Sequence, residues 1–245
     1  MHQETRTAEP WAGVKPTRIL IVEPLELFAA MLADTLRAQS GFTVVARLGT
    51  AAEAETALEN RRIDLVLLNL SLPDRGGLEL IAALGERKHP ARIVVCTSVN
   101  HPSAIATAFV LGAHAFVERS SGLPELVATL RRVARGEHCL GPRAAEVLRN
   151  HASGREETEV LQATDLTVLR RLALREPVRD IAASLNLSAS GVYKVRRRIA
   201  RATGARTKRD FHRAALTLGL VPGEPVGAAI DDGATAATDR IGAGP

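Results

Sequence analysis

Aromatic side chains are scarce in this sequence: one Trp, one Tyr and five Phe, 3% of 245 residues. Any core must be built from Leu, Val, Ile and Ala, which the 46% hydrophobic content supplies. With 24% charged residues, a largely disordered chain is excluded. Cysteine is nearly missing. Cys96 and Cys139 can neither staple a scaffold nor complete a zinc site, so they read as reduced thiols, buried or half-buried. No apolar run approaches the roughly 18 residues of a membrane span, which excludes an integral membrane protein. Residues 1–16 lack the apolar middle of a signal peptide and read as a disordered arm, so a cytoplasmic chain with no membrane partner is expected. Lysine is scarce too: Lys15, Lys88, Lys194 and Lys208 are the only ones among 32 basic residues. That Arg bias, with abundant Ala, points to a GC-rich genome and says nothing of chemistry.

Catalytic signatures are also lacking. There is no Gly-rich phosphate loop, no H-E-x-x-H and no nucleophile elbow. Neither an enzyme nor a bound cofactor or metal is expected. Glu137–Cys139 ("EHC") and the lone His101 and His114 read as surface or loop residues rather than metal ligands.

The charge that is present is unevenly spread. Residues 1–159 carry 18 basic and 19 acidic side chains, residues 160–221 carry 13 and 4, and residues 222–245 carry 1 and 4. A block this basic is the electrostatic footprint of a nucleic-acid-binding domain. It lacks the bulky apolar anchors that membrane-surface binding requires.

From Arg18 onward short apolar runs alternate with amphipathic stretches of helix length. The spacing predicts strands at Arg18–Val22, Phe42–Arg47, Asp64–Leu70, Ile93–Thr97 and Ala115–Val117, with five helices between and after them. This is the pattern of a doubly wound five-stranded parallel sheet over residues 17–137, an α/β domain whose site lies at the carboxyl ends of the strands. Residues 138–160 read as a linker with a short helix, residues 161–221 as an all-α domain of four helices, and residues 222–245 as a disordered tail.

Within the basic block, Val178–Leu185 reads as a short helix, Asn186–Leu187 as a turn, and Ser188 as the cap of a second helix. That is the grammar of a helix-turn-helix. Val192, Val195, Ile199 and Ala202 form its buried stripe; Tyr193, Lys194, Arg197 and Arg201 point away, with Arg196 and Arg198 at the flanks. The plainer reading of an arginine run is a solvated face paired with acids, but this helix has no Asp or Glu, so a polyanion is the better partner. Ser190, Arg206 and Lys208 complete the candidate DNA contacts. In the last helix, Phe211, Ala215 and Leu218 form either a dimer stripe or part of the domain's own core.

The segments "LQATDLTVLRRLA", "VRDIAASLNLSASGVYKVRRRIARATGART" and "DFHRAALTLGL" resemble, over residues 161–220, the LuxR-type helix-turn-helix of NarL/FixJ-family response regulators. The family's TPRE start is replaced by Ala163–Asp165. The apolar register puts Tyr193 and Lys194 at the groove-facing positions, with Arg197 third.

Residues 17–137 resemble the receiver domain of the same family. The resemblance implies a site with two acids after the first strand, a phosphoacceptor Asp ending the third, Thr or Ser ending the fourth and Lys after the fifth. Here "ILIVEPL" supplies Glu23 and then Pro24, "LVLLNLSLPD" places Asn69 at the nucleophile, "VVCTS" keeps Thr97, and "GAHAFVERS" keeps Phe116 at the aromatic switch position with Arg119 for the Lys. One carboxylate where three are needed is too little charge for a hard dication. An amide oxygen is a poor nucleophile and forms no stable acyl phosphate. Asp64 and Asp74 sit in the wrong places to substitute, and Arg119 is positioned to bond both Asn69 and Glu23. The resemblance therefore implies a DNA-binding transcriptional regulator that is not phosphorylated, its receiver serving as a dimerisation platform, a small-molecule sensor or a docking surface. Implied partners are promoter double-stranded DNA, a second copy, an effector or a partner regulator, and RNA polymerase. Family members of this atypical kind control antibiotic production or development in actinomycetes. The alternative is an interaction module that heterodimerises with another response regulator.

Overall fold

The computed structural model describes residues 15–153 and 160–222. Residues 1–14 and 223–245, where the sequence places most of the arm and tail, and residues 154–159 of the expected linker, lie outside the described residues.

Parallel strands β1 (Thr17–Val22), β2 (Phe42–Leu48), β3 (Leu65–Leu68), β4 (Arg92–Thr97) and β5 (Ala115–Glu118) form the sheet that the alternation predicts. A sixth, β6 (Cys139–Leu140), joins its edge, giving the order β2-β1-β3-β4-β5-β6. Two residues carry no periodicity, so β6 was illegible, and it takes Cys139 out of the expected loop into an edge strand, where Cys139 is buried and Leu140 exposed.

The pleat sorts side chains to two cores. Ile19, Ile21, Leu65 and Leu67 face α1 (Glu26–Arg37) and α5 (Leu123–Ala134). Leu20, Val22, Val66 and Leu68 face the layer of α2 (Ala51–Asn60), α3 (Gly77–Glu86) and α4 (Pro102–Val110). Each such fully buried Leu or Ile contributes about 1.5–3 kcal/mol.

After α6 (Pro142–Ala152) come four helices: α7 (Ala163–Ala173), α8 (Val178–Ser184), α9 (Ala189–Thr203) and α10 (Lys208–Thr217). Asn186 turns the chain between α8 and α9 at φ 53°. The Ser188 hydroxyl accepts from the Gly191 N–H at 3.0 Å, and Gly204 closes α9 in the left-handed region at φ 71°. Phe211, Ala215 and Leu218 are 3%, 0% and 1% exposed, so the stripe on the last helix closes a core and offers no dimer surface.

These helices dock on the α3–α4 layer, and the two α/β and α units share one hydrophobic cluster. Buried Glu79 on α3 accepts from Arg170 Nε at 2.9 Å and from Thr167 Oγ1 at 3.1 Å, both on α7. The Ser103 hydroxyl donates to the Ala202 carbonyl at 3.2 Å, and the Leu161 N–H donates to Thr107 Oγ1 at 3.1 Å. Gly76 is needed here, because a Cβ would stand 2.7 Å from Leu220 Cδ2.

Candidate functional site

The carboxyl ends of β1, β3, β4 and β5 converge on Glu23, Asn69, Thr97 and Arg119, as a doubly wound sheet requires. Glu23 follows β1 and is buried; one oxygen accepts from the Leu25 N–H at 2.9 Å and the other from Arg119. Arg119 leaves β5 on a short 3-10 turn (Arg119–Ser121) and lies over the Phe28 ring, 4.5 Å from its centroid. Pro24 presents no donor or acceptor side chain at the neighbouring position. Asn69 is also buried. Its amide oxygen accepts from the Thr97 hydroxyl at 3.0 Å and from the Ser71 N–H at 3.2 Å, and its NH₂ donates to the Ser71 carbonyl at 3.3 Å. Thr97 is fully buried, and Phe116 is packed inward at 5% exposure.

One expected contact is therefore absent. Arg119 pairs with Glu23 but not with Asn69, whose amide is already engaged by Ser71 and Thr97. The Cys96 thiol, beside this pocket on β4, is pushed up to about 11, chiefly by burial, and stays protonated.

On α9, Tyr193, Lys194 and Arg197 are exposed together, with Tyr193 at 52%. Arg201 is exposed further along the helix, and Ser190 is exposed at its start with its hydroxyl 2.9 Å from that of Ser188. Arg196 is half-buried over the Phe211 ring at 5.0 Å, and Arg206 and Lys208 stand exposed before and at the start of α10. Tyr193, Arg196, Arg197, Arg206 and Phe211 border a groove of about 450 Å³. Arg198 corrects the expectation. Its guanidinium turns inward to Asp165 on α7, with Nε 2.9 and 2.8 Å from the two carboxylate oxygens, and Asp165 is 0% exposed. Arg198 is thus a packing cation, and the missing acid of α9 is supplied by another helix.

The receiver-domain family of response regulators matches residues 19–131. A transcriptional regulatory protein from Salmonella typhimurium, UhpA, is 32% identical over 174 residues, which are 67% of this chain and 85% of that one. The chain is a response regulator of the NarL, UhpA and LuxR type. The Escherichia coli nitrate/nitrite response regulator NarL is 26% identical over 73% of this chain and 85% of its own length. Among solved structures, RcsB from Salmonella enterica serovar Typhimurium bound to the rprA promoter superposes with a TM-score of 0.63 at 17% identity, covering 82% of this chain and 98% of RcsB. That likeness speaks for the fold, a parallel receiver sheet followed by a helical domain.

The receiver family implies a Mg²⁺ site, and the residues of this response regulator do not fit one. Both Glu23 oxygens are taken, by a backbone N–H and by a guanidinium that itself supplies the positive charge. Pro24 and Asn69 add no carboxylate. Nor do Asp64 and Asp74 reach the pocket. Asp64 accepts from the Arg18 N–H at 2.9 Å at the far end of the sheet. Asp74 accepts from the Ala51 and Ala52 N–H groups at 3.0 and 2.9 Å; burial raises its pKa, but those backbone bonds and others outweigh it, and the carboxyl lies below its usual range.

The histidines have local roles. His101 caps α4 by accepting from the Ser103 N–H, and His114 stacks on His138 at 4.8 Å while accepting from the Ile93 N–H. Burial, ahead of His138 and Arg92, holds His114 below the ordinary imidazole value. Sequence reasoning missed two buried acids that hold the helices in place, Glu79 and Asp165. A lone carboxylate inside the apolar run of α3 was the available signal for the first. The second carried none, because the helix start "ATDL" resembles any N-terminal cap.

Proposed function

We propose that this response regulator is a sequence-specific DNA-binding transcriptional regulator, working in the cytoplasm as a dimer on promoter DNA, with a receiver unit that takes no phosphoryl group. The face of α9 carries this reading: Tyr193, Lys194 and Arg197 are exposed side by side at the second helix of a helix-turn-helix, flanked by Arg206 and Lys208. The pocket supports the phosphate-free part. Thr97 and Phe116 already lie inward, with the Thr97 hydroxyl held by Asn69. A sequence-built hydrogen bond stands where a phosphoryl oxygen would otherwise draw Thr97 in, so the state is fixed without modification. Among the described residues no helix is long and apolar enough to cross a membrane.

DNA affinity should fall steeply with salt, the log–log slope changing by about 0.9 for each phosphate neutralised. Lys194→Ala should weaken the specific site by about 1–3 kcal/mol and random DNA much less, because a groove-facing cation reads base edges. Arg206→Ala should weaken both alike and flatten the salt slope by about one phosphate's worth. Fluorescence anisotropy over a salt series on specific and scrambled duplexes separates the two. Equal DNA binding by a chain truncated before residue 160 would reject the reading.

A further inference from the structure

The seam between the α/β unit and the C-terminal helices holds a cavity that neither the receiver pocket nor the face of α9 uses. His101, the cap of α4, lines it from the α/β unit; Asp210, Arg213, Ala214, Thr217 and Leu218, along α10 and at its end, line it from the other. Its volume is about 200 Å³, below the roughly 300–1,000 Å³ of sites for drug-sized ligands, so it has room for a small metabolite. Docking creates it. The Ser103 hydroxyl, two residues after His101, donates to the Ala202 carbonyl at 3.2 Å and holds the end of α9 against α4. Ala214 and Leu218 are buried and give the cavity an apolar wall. Its polar groups carry opposite charges. Arg213 is exposed and makes no hydrogen bond or ion pair with a described residue. Asp210 Oδ2 accepts from the Thr207 and Arg206 N–H groups at 2.8 and 3.1 Å. Those backbone bonds, ahead of the Thr207 hydroxyl and the Arg213 charge, hold its carboxyl below the usual range. Two N–H groups use only part of a carboxylate's acceptor capacity of about four sites. His101 uses Nδ1 to accept from the Ser103 N–H at 3.2 Å. Burial holds its imidazole below the ordinary value, so the ring is neutral at neutral pH and its proton sits on Nε2.

We infer that this seam cavity binds a free α-amino acid with a small apolar side chain: the carboxylate on Arg213 and His101, the ammonium on Asp210, the side chain against Ala214 and Leu218. A guanidinium and an imidazole N–H hold a carboxylate through charge-assisted bonds. Asp210, in the same cavity, requires a cationic group in the same ligand. Simple ions satisfy one half only. A phosphate or a dicarboxylate would face the Asp210 charge, and a metal ion would face Arg213 with a single carboxylate to hold it. A zwitterion satisfies both halves and is neutral overall. Because His101 belongs to one unit and α10 to the other, the ligand is held from both sides. It therefore binds the docked arrangement better than any in which the units part, and shifts the population toward docking. The Arg206 N–H that bonds Asp210 also places the ligand beside the turn leading into α10. The inference rests on the docking of the two units and not on the DNA-binding reading.

Isothermal titration calorimetry of the full chain with glycine, L-alanine, L-valine and L-leucine, one at a time, tests this. At least one should bind, one molecule per chain, with a dissociation constant of roughly 0.1–1 mM, as expected for so small a ligand. Analogues of the binder that lack the ammonium or the carboxylate (for L-valine, isovalerate and isobutylamine) should bind at least about 10-fold more weakly. Arg213→Gln should weaken the amino acid about 10-fold or more. His101→Asn, which keeps a good cap for α4 while withdrawing the Nε2–H, should weaken it about 5-fold. Thermal melts without ligand should match the wild type for both variants, showing each one folded. Failure of all four amino acids to bind overturns the proposal. An analogue without the ammonium that binds as tightly as its parent removes Asp210 from the site and overturns the zwitterion. Affinity unchanged by Arg213→Gln puts the ligand elsewhere on the chain and overturns the site. Loss in Arg213→Gln with no change in His101→Asn places the ligand on α10 alone and overturns its bridging of the two units.

Discussion

Arg198→Ala should cost the C-terminal helical domain about 3 kcal/mol of stability, whereas Arg197→Ala, one residue earlier, should cost almost none and instead weaken specific DNA binding about 10–100-fold. The two side chains differ only in the direction that α9 gives them. Arg197 points to solvent beside Tyr193 and Lys194. Arg198 lies 100° further round, where it meets a carboxylate that is 0% exposed and makes both oxygens acceptors of its Nε–H. Removing it leaves the Asp165 charge in the core, with the Gln162 N–H at 2.9 Å as its remaining hydrogen-bond partner among the described residues. Breaking a buried pair in this way costs about 3–5 kcal/mol, and the partial exposure of Arg198 sets the value at the low end. For a domain of this size the loss corresponds to a fall of roughly 12–24 °C in Tm. Calorimetry of the full chain and anisotropy on DNA give opposite rankings for the two variants. Were Arg198→Ala as stable as wild type but unable to bind DNA, the inward assignment would be wrong.

The pair also marks where the sequence ceases to be informative. The alternation of apolar residues reveals each strand of the receiver sheet that is four residues or longer, because a strand buried on both faces must be apolar throughout, and Leu65–Leu68 is. The stripe Val192, Val195, Ile199 and Ala202 likewise orients α9 from its spacing alone, and all four are buried. Periodicity assigns a residue to a face; it does not say whether another element covers that face. Arg196 and Arg198 lie at the edge of the stripe, where Phe211 and Asp165 happen to meet them, and both of those partners come from other helices. The same limit applied to Arg119, which could reach either Glu23 or Asn69 until the β3–α3 loop took up the amide through Ser71. Contacts between distant elements, such as Glu79 with Arg170, depend on docking geometry that no local pattern encodes.

That loop ties the pocket to the C-terminal helical domain. Asn69 holds Ser71 through two hydrogen bonds, and Gly219, at φ 70°, packs so closely there that a Cβ would stand 3.0 Å from Ser71 Oγ. Leu220 follows, against Gly76. The residue at the phosphoacceptor position thus shapes the seat of the C-terminal helices, and with that seat occupied the face of α9 is still exposed. The Thr97 hydroxyl held by Asn69 and the exposed face of α9 occur together in one structure.

Incubation with acetyl phosphate and Mg²⁺ should leave the intact mass unchanged, with no species heavier by about 80 Da, the mass of one phosphoryl group. Three independent obstacles stand in the pocket. The Asn69 amide oxygen is a weak nucleophile already accepting two hydrogen bonds. Pro24 offers no second acid, and Arg119 occupies the carboxylate that remains. Their independence makes a graded expectation. Asn69→Asp alone should also fail to gain mass, because a new carboxylate without a metal faces an anionic donor unaided. Asn69→Asp combined with Pro24→Asp and Arg119→Lys supplies three carboxylates for Mg²⁺ and frees Glu23, and this triple variant should take up one phosphoryl group. Labelling of the wild type that Asn69→Ala abolishes would show that the amide position is phosphorylated or directs phosphorylation, and would reject the fixed-state account. Labelling that survives Asn69→Ala lies elsewhere on the chain and leaves the pocket uninvolved. Labelling of Asn69→Asp alone would show that Glu23 is released from Arg119 readily enough to bind Mg²⁺, and that the ion pair is a latch rather than a lock.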